Sequence, residues 1–91
     1  MPTQDASDDR LVRLTTRNET VVSVMAFFEG VGVLVNRGLI DINLVGDMLS
    51  TPIILAWQAV EPHIMARRKA VQRDQIWDWF EYLYNRIQSL P

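Results

Sequence analysis

Between Glu19 and Asn36 the apolar side chains recur at Val21, Val24, Met25, Phe27, Phe28, Val31, Leu34 and Val35. Laid out at about 100° per residue, they cover about half of a helix circumference. Ser23, Gly30 and Arg37 fall on the opposite side. The spacing predicts an amphipathic helix over 19–36 with a wide apolar face, and such a helix is expected to be the central, most buried element. Upstream, Ser7 is placed to cap a helix that opens with Asp8 and Asp9, whose charges suit its positive end. That leaves 1–6 as a disordered tail and 7–91 as a single helical domain. Leu11 and Leu14 share a side with Val21, Met25 and Phe28. One helix from 8 to 36 and a break near 17, after Thr15–Thr16, are both compatible with the pattern.

Past this segment the pattern stays helical. Gly38 follows its end, where a left-handed residue commonly closes a helix. Asp41 then reads as the N-cap of a short helix through Leu49, with Ile42, Val45, Met48 and Leu49 inward. Ser50-Thr51-Pro52 reads as a new start, a capping hydroxyl followed by proline at a first helical position. Ile53, Ile54, Trp57, Val60 and Ile64 share one face of that next helix, and Pro62 inside it predicts a kink or restart near 61. Asp74 is the expected cap of the last helix, with Ile76, Trp79, Phe80, Leu83, Ile87 and Leu90 as its stripe. No segment alternates with a period of two, and no repeat is visible. The expected fold is all-α: a compact bundle of four to five helices, with a long central helix and a Pro-kinked helix.

Composition narrows the function. The 91 residues suffice for one small domain, and 48% apolar with 22% charged is a globular balance. Domains of this size often gain stability by oligomerising. There is no cysteine, so disulfides and thiolate chemistry are excluded. A net charge of −2 argues against a dedicated nucleic-acid binder. The most apolar stretch, Val21–Val35, is interrupted by Ser23 and Glu29, so no transmembrane segment is assigned. The polar, acidic beginning does not resemble a signal peptide, and a cytoplasmic setting is expected.

Candidate chemistry then fails for stated reasons. Gly30 and Gly32 start a dinucleotide-type glycine pattern, but its third place is Val35 and no strand precedes it. Asp41, Asn43 and Gly46 mimic the start of a calcium loop, but Val45 and Pro52 stand where ligands belong. His63 is the sole histidine, with no partner histidine or cysteine for a transition metal. No catalytic, cofactor or metal residue is assigned. Arg67, Arg68, Lys69 and Arg73 form a candidate anion-binding group, although cations at a helix end also offset the helix dipole. Trp77 and Tyr84, seven residues apart, make an aromatic ledge, with Tyr82 on the other flank. These three are candidate interface anchors. A pocket near Pro62, lined by Trp57 and His63, is a third candidate. Gly32 projects onto the centre of the apolar face of 19–36, where it would let another helix approach.

The central residues also carry a resemblance. Phe28, Glu29, Gly32, Leu34, Gly38, Ile40 and Asp41, followed by Trp57, Pro62, Ile64 and Arg67, resemble a widespread uncharacterised all-helical domain family of bacteria and archaea. Its pattern reads F-E-x-x-G-x-L-x-x-x-G-x-I-D, then W-x-x-x-x-P. The resemblance implies a helical fold and a structural role for the corner from Gly38 to Asp41, and no catalytic residue; Gly32 and Pro62 are structural candidates from the helix pattern itself. The expected function is a non-catalytic protein–protein interaction or assembly module, working as a homodimer or with another protein. The alternative is a regulator that binds nucleic acid or an anionic surface through the basic helix end.

Overall fold

A computed structural model describes the backbone of residues 2–73 and 75–91, and the side chains from Glu19 onward apart from Asp74. It contains three helices, α1 (Pro2–Asn36), α2 (Ile42–Val71) and α3 (Asp78–Gln88), and no strand among the described residues. The all-α expectation holds, whereas the expected four to five helices become three. The cap expected from Asp74 lies outside the described residues.

α1 runs unbroken for 35 residues, about 52 Å at 1.5 Å per residue. It begins at Pro2, ahead of Ser7, so the residues expected as a tail are helical from there on. Proline is well suited to a first helical position, where its missing N–H has no role. Thr15 and Thr16 do not break the helix, because each costs only a few tenths of a kcal/mol, about 0.7 at most. Gly38, at φ +73°, closes α1. Its N–H donates to the Val35 carbonyl at 3.0 Å and the next N–H, of Leu39, to Leu34 at 2.9 Å. This bond pair is the one a left-handed residue past a helix end makes possible. Asp41 then opens α2, its Oδ1 accepting from the Asn43 N–H at 2.9 Å.

α2 is the larger correction. It passes through Pro52 and Pro62 without ending, so neither the expected restart at 50–52 nor the one near 61 occurs. Both prolines lie on the exposed side of the helix. The carbonyls that lose an N–H partner belong to Met48 and Gln58, which are exposed as well and open to water. The Ser50 hydroxyl caps nothing; it donates back to the Gly46 carbonyl one turn earlier. On the other side Val45, Ile53, Trp57 and Ile64 form a buried stripe that continues across both prolines. That stripe holds the helix together, and Met48, expected inside, is 68% exposed.

α2 runs antiparallel to α1, and α3 returns beside both. Ile87 of α3 and Leu90 just past its end meet α2 near Gly46, Phe80 and Tyr84 meet Trp57, and Glu81 meets Arg68. The short helix α3 is the wedge between the two long ones. Its Phe80 and Leu83 are fully buried, as are Ile53 and Trp57 of α2. Burial of each such side chain contributes about 1.5–3 kcal/mol. The centre of the core therefore lies on α2 and α3, and the expectation that 19–36 is the most buried element is wrong. Met25, Phe28, Val31 and Val35 of α1 are buried, but Val21, Val24, Phe27 and Leu34 are exposed. α3 packs on the side of Phe28, Glu29 and Gly32 and leaves the other side uncovered.

Candidate interaction surface

The two sides of α1 differ in what touches them. On the inner side, Phe28 packs on Phe80 with ring centroids 5.4 Å apart. Glu29 Oε1 accepts from the Phe80 backbone N–H at 2.8 Å, across 51 residues of sequence. Phe80 is in the first turn of α3, where N–H groups have no intrahelical acceptor. Glu29 thus caps α3 from α1, and its negative charge suits the positive helix end. The residue at the N-cap itself, Trp77, is left-handed at φ 58° and makes no side-chain cap bond. Gly32 lies one turn on, where a Cβ would stand 2.1 Å from the Trp79 carbonyl oxygen. Only glycine admits the α3 backbone this close.

The outer side is uncovered. Ser23, Phe27, Gly30 and Leu34 follow one another at spacings of four, three and four, and all are exposed, Phe27 by 58%. A Cβ added at Gly30 would meet nothing within 4 Å. Beside this row lies a shallow concavity of about 530 Å³, lined by Glu19, Thr20, Ser23, Val24, Phe27 and Phe28. A smaller cleft of about 200 Å³ opens between the long helices, walled by Val21, Val24 and Met25 of α1 and Ala56, Ala59 and Val60 of α2.

The residues singled out from sequence are distributed unevenly over this frame. Trp77, Tyr82 and Tyr84 are all half-buried and packed on the core. Tyr84 stacks on Trp57 at 5.7 Å, and Tyr82 sits edge-on to Trp79 at 5.5 Å and takes a hydrogen bond from Arg86 at 3.2 Å. The aromatic that α3 turns outward is Trp79, at 36% exposure, which the spacing had assigned to the core stripe. At about 100° per residue it lies at the edge of the arc that Phe80, Leu83 and Ile87 bury. The basic group is split. Arg68 points inward: its Nε donates to the Ile76 carbonyl and its Nη1 to Glu81, each at 2.8 Å. Arg67, Lys69 and Arg73 are exposed. On a helix Arg67 and Lys69 stand about 200° apart, so they do not share a face. Trp57 is sealed in the core and donates from Nε1 to Glu61 at 2.8 Å, while His63 is exposed on another side. The two do not line a common pocket.

Sequence reasoning missed the Glu29 cap and the bareness of the outer row. A signal for the first was present: glutamate and glycine three residues apart lie on one helix face and suit one approaching helix end. Glu19–Asn36 is also apolar enough, at mean hydropathy 1.4 over 18 residues, to cross a membrane by length and composition. In this fold 28% of it is buried, and Glu29 and Gly32 within it are engaged by α3.

Residues 2–87 match the DUF4760 family, described as a domain of unknown function, and the chain belongs to that family. No curated protein and no solved structure matches it.

Proposed function

We propose that this DUF4760 domain is a non-catalytic protein–protein interaction module of the cytoplasm, and that it works by assembling with a second copy or another protein. The observation that carries the reading is the uncovered row on α1, where Phe27 and Leu34 expose 58% and 37% of their surfaces, with Val24 beside them 41% exposed. Large apolar side chains grouped on a surface mark interaction sites more often than isolated ones do. The alternative reading, a basic helix end that binds nucleic acid or an anionic surface, has weaker support. Arg68 is committed to Ile76 and Glu81, and the remaining cations diverge.

Light scattering on the purified chain at tens of micromolar tests the assembly reading. Self-association that is lost in Phe27→Glu, with the helical circular dichroism retained, is the expected outcome. A monomer that also binds DNA or anionic vesicles in a salt-dependent manner would favour the alternative.

A further inference from the structure

The geometry points to a specific occupant for the outer row of α1: the same row of a second copy, packed antiparallel about a two-fold axis between Phe27 and Gly30. The inference rests on the interaction reading and supplies its partner and register. Its starting point is Gly30. A glycine in a helix interior is destabilising by about 1 kcal/mol relative to alanine. Unlike Gly32, Gly30 has no neighbour within the chain that requires it.

The row alternates in size. Ser23 and Gly30 are small, Phe27 and Leu34 are large, and the spacings of four, three and four make the repeat of a helix-pair seam. A two-fold axis between 27 and 30 sets Phe27 opposite Gly30 of the second copy, and by symmetry Gly30 opposite Phe27. The same operation sets Leu34 opposite Ser23, against the concavity bounded by Glu19, Val24 and Phe27. Every large side chain meets a small one. The charges agree. Glu19 and Arg37 are both exposed, 18 residues apart, and so lie on one flank of the seam about five helical turns apart. Under the two-fold axis each flank faces its own equivalent with direction reversed, so Glu19 meets Arg37 of the second copy at both ends. Parallel packing would instead oppose like charges and set Phe27 against Phe27, leaving a void at Gly30. A bilayer would take the apolar residues but makes no use of the size alternation or the charge pairing.

The chain has no cysteine, so single thiols can be placed cleanly. Ser23→Cys and Leu34→Cys chains, mixed and treated with a short thiol cross-linker, are expected to join to each other. Neither is expected to join to itself, because Ser23 and its equivalent are about 16 Å apart along the seam. Gly30→Leu is expected to abolish the dimer while the monomer keeps or gains thermal stability, since a Cβ at this exposed position meets nothing within 4 Å. Glu19→Arg is expected to weaken dimerisation about tenfold, with recovery when Arg37→Glu is added. Self-joining of either single-thiol chain, or a dimer that survives Gly30→Leu, would overturn the inference and leave the assembly reading standing. A strict monomer at tens of micromolar overturns the inference and self-assembly together. Flotation of that monomer with neutral lipid vesicles would assign the row to a bilayer.

Discussion

Gly30 and Gly32 sit two residues apart in the same helix and have opposite surroundings. A Cβ on Gly32 would stand 2.1 Å from the Trp79 carbonyl oxygen, and one on Gly30 would meet nothing within 4 Å. Phe27 and Phe28 repeat the contrast: their rings touch at 5.4 Å, yet one is 58% exposed and the other 5%. Both sides of α1 are similarly apolar. What separates them is the 11-residue helix α3, which covers one side and leaves the other bare. In a helix with a wide apolar face, composition alone does not say which side is the core. The partner's length and approach decide it.

The sharpest way to break the comparison is at the phenylalanines. Phe28→Ala removes a ring packed on Phe80 and should cost about 3–5 kcal/mol of folding stability. Phe27→Ala should change the stability of the monomer by about 0.5 kcal/mol or less, as an exposed substitution does. Urea titration at a concentration that keeps the chain monomeric measures both. Equal losses would mean that α3 does not discriminate between the two sides.

The glycines give a smaller effect with a change of sign. Gly32→Ala forces a Cβ into the α3 backbone and should destabilise by about 1–3 kcal/mol. Gly30→Ala fills open space and should stabilise the monomer by up to about 1 kcal/mol, through helix propensity alone. Thermal melts of the two variants should shift in opposite directions. A common direction would show that Gly32 is not a point of contact.

Much of the local frame was legible in the sequence because it is set by neighbours in sequence. The Gly38 turn needs only the six consecutive residues 34–39, and the Asp41 cap only the three from Asp41 to Asn43. The inward face of α2 followed from the spacing of Ile53, Trp57 and Ile64. The failures have a different cause. Proline at 52 and 62 reads as a stop in any local rule, but a proline on an exposed helix side leaves its orphan carbonyl to water while the buried stripe carries on. The inward turn of Arg68 depends on Ile76 within the 72–77 connection and on Glu81 beyond it. Nothing within the run Arg67-Arg68-Lys69 distinguishes the middle member. The exposed outer row of α1 was illegible because the side on which α3 docks decides it, and that docking is set by contacts distant in sequence, Phe28 with Phe80 and Glu29 with the Phe80 amide.

Glu29 is where the long-range and local descriptions of α1 meet, and the smallest of the three effects is expected there. It lies within the apolar run Val21–Val35, and a local reading treats it as an interruption of that run. The structure gives its carboxylate a backbone N–H of the first turn of α3, at 2.8 Å. Loss of a side-chain acceptor at a helix start costs about 0.5–2 kcal/mol, and Glu29→Ala should fall in that range. Glu29→Gln keeps a carbonyl acceptor of the same reach but removes the charge, so it should lose only the charge-assisted part, about half of that. Amide hydrogen exchange separates this from general destabilisation. The Phe80 amide should lose protection in Glu29→Ala well before Ile53 and Trp57 of α2 do, because only the docking of the α3 start on α1 is weakened. Uniform loss of protection across α2 and α3 would mean that Glu29 acts on the whole fold and that α3 has no separate anchor on the inner side of α1.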